Sequence, residues 1–172
     1  MRWRSVCGLT VLALCVLGLV SACASNTLTV LQPKTQAIPP GTTVALRVDV
    51  DVPEPLPVHQ EVATRLRERL FVRLISDGIF RAVVLAPEPA DYRMEVKIRG
   101  ARQVSAGARI MLGSMIGPNT AAVAVVIRHQ ATEHIVTAFE ATATSESHPF
   151  SSESSLDDAV RRVVDRIIEG LR

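Results

Sequence analysis

Beyond its first 23 residues the chain has no cysteine, because Cys7, Cys15 and Cys23 are the only three. The part that follows can form no disulfide, so its stability must come from buried apolar side chains. Aromatic residues are scarce as well: Trp3 is the only tryptophan, and one tyrosine and four phenylalanines complete the set. So few rings argue against a surface that stacks on carbohydrate.

An excess of charge of either sign is also missing. The 19 lysines and arginines face 17 acidic residues, for a formal net charge of +2. Arg2 and Arg4 lie at the N-terminus, and without them 17 basic residues balance the 17 acidic ones. Binding to nucleic acid draws on a basic excess that releases counterions from the phosphates. We therefore expect no nucleic-acid partner.

One long apolar run is present, close to the N-terminus. It covers residues 6–20, follows Arg2 and Arg4, and ends in the small residues Ser21 and Ala22 before Cys23. Its roughly fifteen residues fall short of the about 20 that span a bilayer core. A positive start, a short apolar run and a small-residue end are typical of a secretory signal peptide rather than of a transmembrane anchor.

Residues 20–23, Val-Ser-Ala-Cys, resemble the lipobox of exported bacterial lipoproteins. The resemblance implies that residues 1–22 are removed and that Cys23 becomes the acylated first residue, carrying palmitate or a similar chain. Acyl chains contribute about 0.8 kcal/mol per buried methylene, so two of them hold a domain on a membrane. Ala24 follows the cysteine where an aspartate would favour the inner membrane. By resemblance to Gram-negative sorting rules, we expect a protein anchored in the cell outer membrane and facing the periplasm.

The remaining chain divides into a tether and one domain. Residues 23–42 are polar and carry three prolines, which predicts a lipidated tether that lets the domain stand off the membrane. A short edge strand at residues 27–31 is the alternative. Residues 43–172 suffice for a single α+β periplasmic domain with one core.

Apolar periodicity predicts the elements of this domain. Helices are indicated by apolar stripes over residues 58–76, which Gly78 ends, and 156–171, which begins with a capping box at Ser155. Alternation or short apolar runs indicate strands at residues 43–51, 79–85, 92–99, 120–128 and 135–144. The last two are predicted to form an antiparallel hairpin. The expected architecture is a mostly antiparallel sheet of four to five strands with two amphipathic helices packed on one face, the other face charged and open to water.

A row of arginines, Arg65, Arg69 and Arg73, follows the outer face of the first helix. An anion or a lipid headgroup could bind there. Glu61 lies one turn before Arg65 and offers an ion pair along the helix, so we expect a solvated face instead.

Motifs for catalysis or metal binding are not found. His129, Glu133 and His134 lie close together, but their spacing matches neither H-E-x-x-H nor H-x-x-E-H. The serines of residues 145–155 lack the G-x-S-x-G elbow of a nucleophile. We expect no enzyme activity, no metal and no cofactor.

The glycine–methionine loop, residues 107–118, stands apart because it is apolar where a loop between strands should be polar. Its methionines suit an adaptable exposed surface, and its glycines allow close backbone approach. Folding back over an open end of the sheet, as core, is the other interpretation. The candidate partner or ligand residues are Arg109, Met111, Leu112, Gly113, Met115, Ile116 and Gly117.

The chain resembles a bacterial lipoprotein family in four features: residues 90–96, residues 109–113 with Gly117, the predicted hairpin and the capped C-terminal helix. This family is catalogued as domain of unknown function 4410, and the resemblance covers roughly residues 43–171. It implies fold and envelope location, since the family has no assigned activity. The chain departs from the pattern at the hairpin, where Glu133 stands in place of a glycine.

We expect a non-catalytic docking module of the cell envelope, held on the membrane by acylated Cys23. An envelope protein would dock on the glycine–methionine loop or on the charged sheet face. The alternative is a carrier of a lipid or another hydrophobic ligand, with the loop's apolar residues lining a pocket between sheet and helices. A concave apolar cavity of about 300 Å³ or more would favour the carrier, and a filled core with a protruding loop would favour the docking module.

Overall fold

The computed structural model describes residues 26–105, 107–108, 111, 117–145 and 156–172. Six strands and two long helices are defined within these residues. The strands are β1 (Thr27–Gln32), β2 (Thr43–Val50), β3 (Ala82–Leu85), β4 (Tyr92–Arg102), β5 (Thr120–His129) and β6 (Ile135–Thr144). The helices are α1 (Pro57–Ser76) and α2 (Leu156–Leu171).

The strands form one mixed sheet in the order β1-β6-β5-β4-β2-β3. The pairs β1/β6, β6/β5 and β5/β4 are antiparallel, whereas β4/β2 and β2/β3 are parallel. The sheet is therefore mixed, with three antiparallel pairs and two parallel ones, which is roughly compatible with the mostly antiparallel sheet of four to five strands that was expected. The sixth strand is β1. Strand β3 runs parallel to β2 because α1 lies between them and carries the chain back to the starting end of the sheet.

Strand β1 lies inside the region where a tether was predicted. Thr27 pairs with Thr142 and Leu28 with Ala141, so the chain joins the sheet only four residues after Cys23. The edge-strand interpretation of this segment is the one found, and the tether over residues 27–32 is corrected. Pairing with the free edge of β6 gives β1 backbone hydrogen bonds and lets Leu28 pack against the core without a strongly apolar sequence.

Both helices pack side by side on one face of the sheet, as predicted. Their apolar stripes meet the inward residues of the central strands in one continuous core. The ladder between β4 and β5 aligns Met94 with Ile127 and Val96 with Val125, all four fully buried. Burial of this face supplies the stability that a domain without disulfides needs.

Helix α1 begins at Pro57 and ends before Gly78, which adopts a φ of 68°. Its arginine row is not a free solvated face. Arg65 and Arg69 both reach Asp157 at the start of α2, and Arg73 reaches Asp165 at 3.1 Å. The row therefore joins the two helices across their outer side.

Candidate functional site

Three of the central strands begin or end at the same end of the sheet, which we call the loop end. Arg102 closes β4 opposite Thr120, the first residue of β5, and Thr120 in turn faces Thr144, the last residue of β6. The glycine–methionine loop connects β4 to β5 and so leaves and re-enters the sheet here. The first residues of β1 lie in the same region, since Thr27 pairs with Thr142.

A buried polar cluster holds the bases of these connections together. Asn119 is only 1% exposed and Ser145 is fully buried. Asn119 Oδ1 accepts a hydrogen bond from the Val104 backbone N–H at 2.6 Å, and Ser145 N–H donates to the Asn119 carbonyl at 2.9 Å. The Asn119 N–H donates to Ser145 Oγ at 3.2 Å. Because such bonds satisfy otherwise buried backbone groups, they define where the loop starts and ends.

The N-terminus of the described chain is attached to the same cluster. Asn26 Oδ1 accepts a hydrogen bond from the Thr144 N–H at 3.1 Å, which adds to the pairing of β1 with β6. The sequence interpretation missed Asn26, Asn119 and Ser145. The only signal was a single polar residue next to the end of each strand, which is common in any loop.

The structure places two of the predicted loop residues. Met111 is 84% exposed. Gly117 lies against Arg102, whose Nη1 would be 3.3 Å from an added Cβ. Cys23 and five loop residues lie outside the described residues: Arg109, Leu112, Gly113, Met115 and Ile116.

The space between sheet and helices is occupied by core side chains. Leu66, Phe80, Met94, Phe139 and Ile167 are among the large residues that are essentially inaccessible there. A cleft of about 390 Å³ lies instead on the outer side of the two helices. It is lined by two valines and five charged residues, Val72, Val164, Glu68, Arg69, Arg73, Arg161 and Asp165.

The other face of the sheet is charged, as its alternation predicted. Arg47 faces Glu95 and Asp49 faces Lys97 in the ladder between β2 and β4. Ion pairs join Arg47 to Asp49 at 2.6 Å and Arg99 to Asp51 at 2.7 Å. Exposed ion pairs of this kind contribute only about 0–1 kcal/mol each to the unfolding free energy. The charges of the open sheet face therefore contribute little to the stability of the fold.

The carboxyl groups of Asp77 and Asp91 have shifted pKa values, and both have structural roles. The pKa of Asp91 is lowered because the Thr43 N–H and hydroxyl donate to its carboxylate at 2.7 and 2.9 Å. The pKa of Asp77 is lowered mainly by a hydrogen bond from Arg73. The first contact ties the start of β2 to the chain entering β4, and the second closes the C-terminus of α1.

The histidines of the hairpin make ordinary structural contacts. The His129 ring packs edge-on against Tyr92 at 5.4 Å, and His134 Nε2 lies 3.2 Å from Thr35 Oγ1. Within the described residues, no three His, Cys, Asp or Glu side chains are placed to hold a metal ion. Over the same part of the chain, no helix is long and apolar enough to cross a membrane.

No family model matches the chain, and no curated protein matches its sequence. Membership of the family of unknown function 4410 is therefore not confirmed. Among solved structures, the PelC dodecamer from Paraburkholderia phytofirmans is 15% identical, with a TM-score of 0.60 over 86% of this chain and 97% of that chain. A point-substituted PelC dodecamer from the same organism, solved in another crystal form, is 17% identical to this chain. Its TM-score is 0.54 over 83% of this chain and 97% of that chain.

Lipoprotein GNA1162 from Neisseria meningitidis is a looser likeness. It is 10% identical, with a TM-score of 0.45 over 76% of this chain and 99% of that chain. The PelC likeness spans nearly all of that protein and most of this chain, so the two share a fold.

Proposed function

We propose that the protein is a lipid-anchored, non-catalytic binding module of the bacterial envelope, held at the periplasmic side of the outer membrane by acylated Cys23. The observation that carries the binding role is the open sheet face, where exposed side chains of both charges lie side by side on β2 and β4. The Val-Ser-Ala-Cys sequence at residues 20–23 supports the anchor.

The dense packing of the described core residues favours binding over transport of a hydrophobic ligand. A carrier needs an apolar cavity of several hundred Å³ to enclose its cargo. The side chains between the helices and the sheet are instead packed together at almost no exposure. The cleft outside the helices is open and edged by charges, which suits no enclosed lipid chain.

We assign the protein partner to the open sheet face. Its charges alternate in sign, with Arg47 opposite Glu95 and Asp49 opposite Lys97. A mixed pattern of this kind selects a partner by complementarity and disfavours one with misplaced charges. Both described helices pack on the other face, and the side chains of Arg47, Asp49 and Arg99 on this face are 40–60% exposed.

The anchor is tested with the full chain expressed in a Gram-negative host. Labelled palmitate should be incorporated into the unaltered protein, which should fractionate with outer membranes. The Cys23→Ala variant should take up no label and should lose that fractionation. Equal labelling of both forms, or no labelling of either, would refute the lipid anchor.

The partner surface is tested by site-specific photocrosslinking in cells. A photoreactive residue replaces Lys97 on the open sheet face or, as the control, Val72 on the outer side of α1. We expect a discrete protein adduct from position 97 and none from position 72. An adduct only from the control position would move the docking surface to the helices.

A second copy of this chain is the second candidate partner. PelC, whose fold this chain shares, is described as a dodecamer. If the partner is another copy, the adduct from position 97 will have twice the mass of one chain, and purified protein will run as a larger species in light scattering. An adduct of any other mass identifies a different protein.

A further inference from the structure

Strand β1 forms one edge of the sheet, and its six residues carry no charge. It pairs with β6 on one side, and within the described residues no strand lies on its other side. Native proteins commonly keep sheet edges from pairing by making them short or by placing charges or proline there. Strand β3, at the opposite edge, has only four residues and is followed closely by Pro87. Of the two edges, β1 is therefore the one more open to a further strand.

The hydrogen bonds at the end of β6 show which way its backbone groups point. The Thr144 N–H points towards the β1 side, because it donates to Asn26 at 3.1 Å. The Ser145 N–H points towards β5, because it donates to the Asn119 carbonyl at 2.9 Å. Backbone groups alternate between the two sides along a strand. The even-numbered residues of β6 up to Thr144 therefore present their N–H and C=O groups to β1.

This alternation decides which groups of β1 face the free edge. Thr27 and Thr29 lie opposite even-numbered residues of β6 and form the hydrogen-bonded pairs with that strand. The N–H and C=O groups of Leu28 and Val30 point the other way, out of the sheet edge. Both of these side chains lie on the helix-covered face, where Leu28 packs against the core and Val30 is 55% exposed.

The free edge of β1 is complementary to itself. In an antiparallel arrangement about a twofold axis at Thr29, Leu28 of one copy lies opposite Val30 of the other, and the symmetry repeats this pair. Each pair exchanges two backbone hydrogen bonds, because both residues point their N–H and C=O groups outwards. The apolar side chains of each pair meet on the helix-covered face, and the two Thr29 side chains meet on the open face. Cross-strand pairs of these kinds stabilise antiparallel sheets.

We propose that β1 pairs with the β1 of a second copy of this chain, antiparallel and centred on Thr29, so that two sheets join into one. The contact uses the same surface on both copies and closes on itself, so it stops at two chains. It covers Val30, which is more than half exposed in the single chain. This edge is separate from the open sheet face to which the proposed function assigns a partner. Either surface can therefore fail without the other.

The test is disulfide crosslinking between copies of the full chain. Thr29→Cys places the two thiols opposite each other in a pair without hydrogen bonds, where the Cα atoms lie about 4.5 Å apart. A disulfide needs about 4.4–6.8 Å between Cα atoms. Copper phenanthroline serves as the catalyst, and dioxygen takes up the two electrons and two protons that the thiols lose. Crosslinking also captures weak dimers, which matters because two paired strands bury less than the about 1,200 Å² of stable complexes.

Thr27→Cys is the matched control, since Thr27 is exposed on the same face of the same strand. In the proposed register the two residues at position 27 are four positions apart along the strands, or about 14 Å, which is too far for a disulfide. We expect the Thr29→Cys protein to form a dimer severalfold faster than the Thr27→Cys protein. The unaltered chain, whose cysteines are Cys7, Cys15 and Cys23, gives the background. Equal rates for the two variants, or no dimer from either, would overturn the proposal.

A second pair of variants tests the role of Val30. Adding Val30→Lys to the Thr29→Cys protein should slow crosslinking severalfold, because the charge would lie against Leu28 of the other copy. Val72→Lys is its control, since Val72 is a valine of similar exposure on α1, and should change nothing. Thermal melting followed by circular dichroism checks that both lysine variants fold. An unchanged rate with a folded Val30→Lys protein would refute the register. A dimer captured only from position 97 would place the second copy on the open sheet face and overturn the proposal.

Discussion

Gly170, in the last turn of α2, faces the ring of Phe139 on β6. A Cβ added at this position would lie 2.9 Å from Cζ and 3.0 and 3.1 Å from the two Cε atoms of that ring. The Phe139 side chain is 1% exposed and therefore has little freedom to move away. The glycine thus allows α2 to approach the sheet closely.

Gly170→Ala sets two effects against each other. Alanine in a helix is favoured over glycine by about 0.5–1 kcal/mol, and the gain is smaller close to a helix end. Overpacking of a filled core costs about 1–3 kcal/mol. The clash should win, so we expect a net loss of about 1 kcal/mol of unfolding free energy. For a domain of this size that corresponds to a drop in Tm of about 2–4 °C.

Urea and thermal unfolding of the protein measure this effect. Gly107→Ala is the matched control, because a Cβ at that position meets nothing within 4 Å. Phe139→Leu removes the ring atoms that clash, so the two changes together should cost clearly less than the sum of their separate costs. A stabilised Gly170→Ala protein, or strict additivity with Phe139→Leu, would show that the close approach does not limit this helix.

Three further predictions concern single contacts. Glu133 has a φ of 53°, so Glu133→Gly should raise the unfolding free energy by up to about 1 kcal/mol, whereas Glu133→Val should lower it, both in urea titrations. The pKa of Asp91 is lowered in the folded protein, so its hydrogen bonds with Thr43 stabilise the fold fully above the ordinary aspartate pKa. This stabilisation is lost as the pH falls through the folded-state pKa. Asp91→Ala should therefore be less stable than the unaltered protein at pH 7, and the difference in unfolding free energy should be smaller near pH 3. Asp157→Asn weakens the ion pairs of α2 with two arginines of α1 and should cost about 1 kcal/mol in low salt and less in high salt, and a cost independent of salt would contradict the assignment.

The helices, the hairpin and the buried face were predictable because each depends on a local pattern. Apolar residues four apart define α1, and Gly78 takes the positive φ that ends it. The alternation of β4 separates a core face from a charged face, and the structure keeps that separation. The ends of β6 were likewise predicted from its own sequence. In each case neighbouring residues contain the information, since the period of the backbone decides which side chains share a face.

The strand order and the loop end could not be derived in this way. Nothing in the sequence of residues 27–32 indicates that they pair with β6. An edge strand needs a neighbouring strand with unpaired backbone groups, and its own sequence need not be strongly apolar. Arg65 and its partner Asp157 are 92 residues apart, and Asn26 and Thr144 are 118 apart. In the sequence, Asn119 and Ser145 look like ordinary loop residues. Only the fold shows that both are buried.

By itself the sequence determined an N-terminal segment with a lipobox-like end, the two amphipathic helices and the alternating strands. The tertiary structure alone decided that the first strand joins the sheet directly after residues 23–26, and that the glycine–methionine loop leaves the sheet at that same end. The physical reason is that local periodicity selects the type of each element and the face it buries. Which distant segments become neighbours depends on how those faces and edges are covered by the rest of the chain.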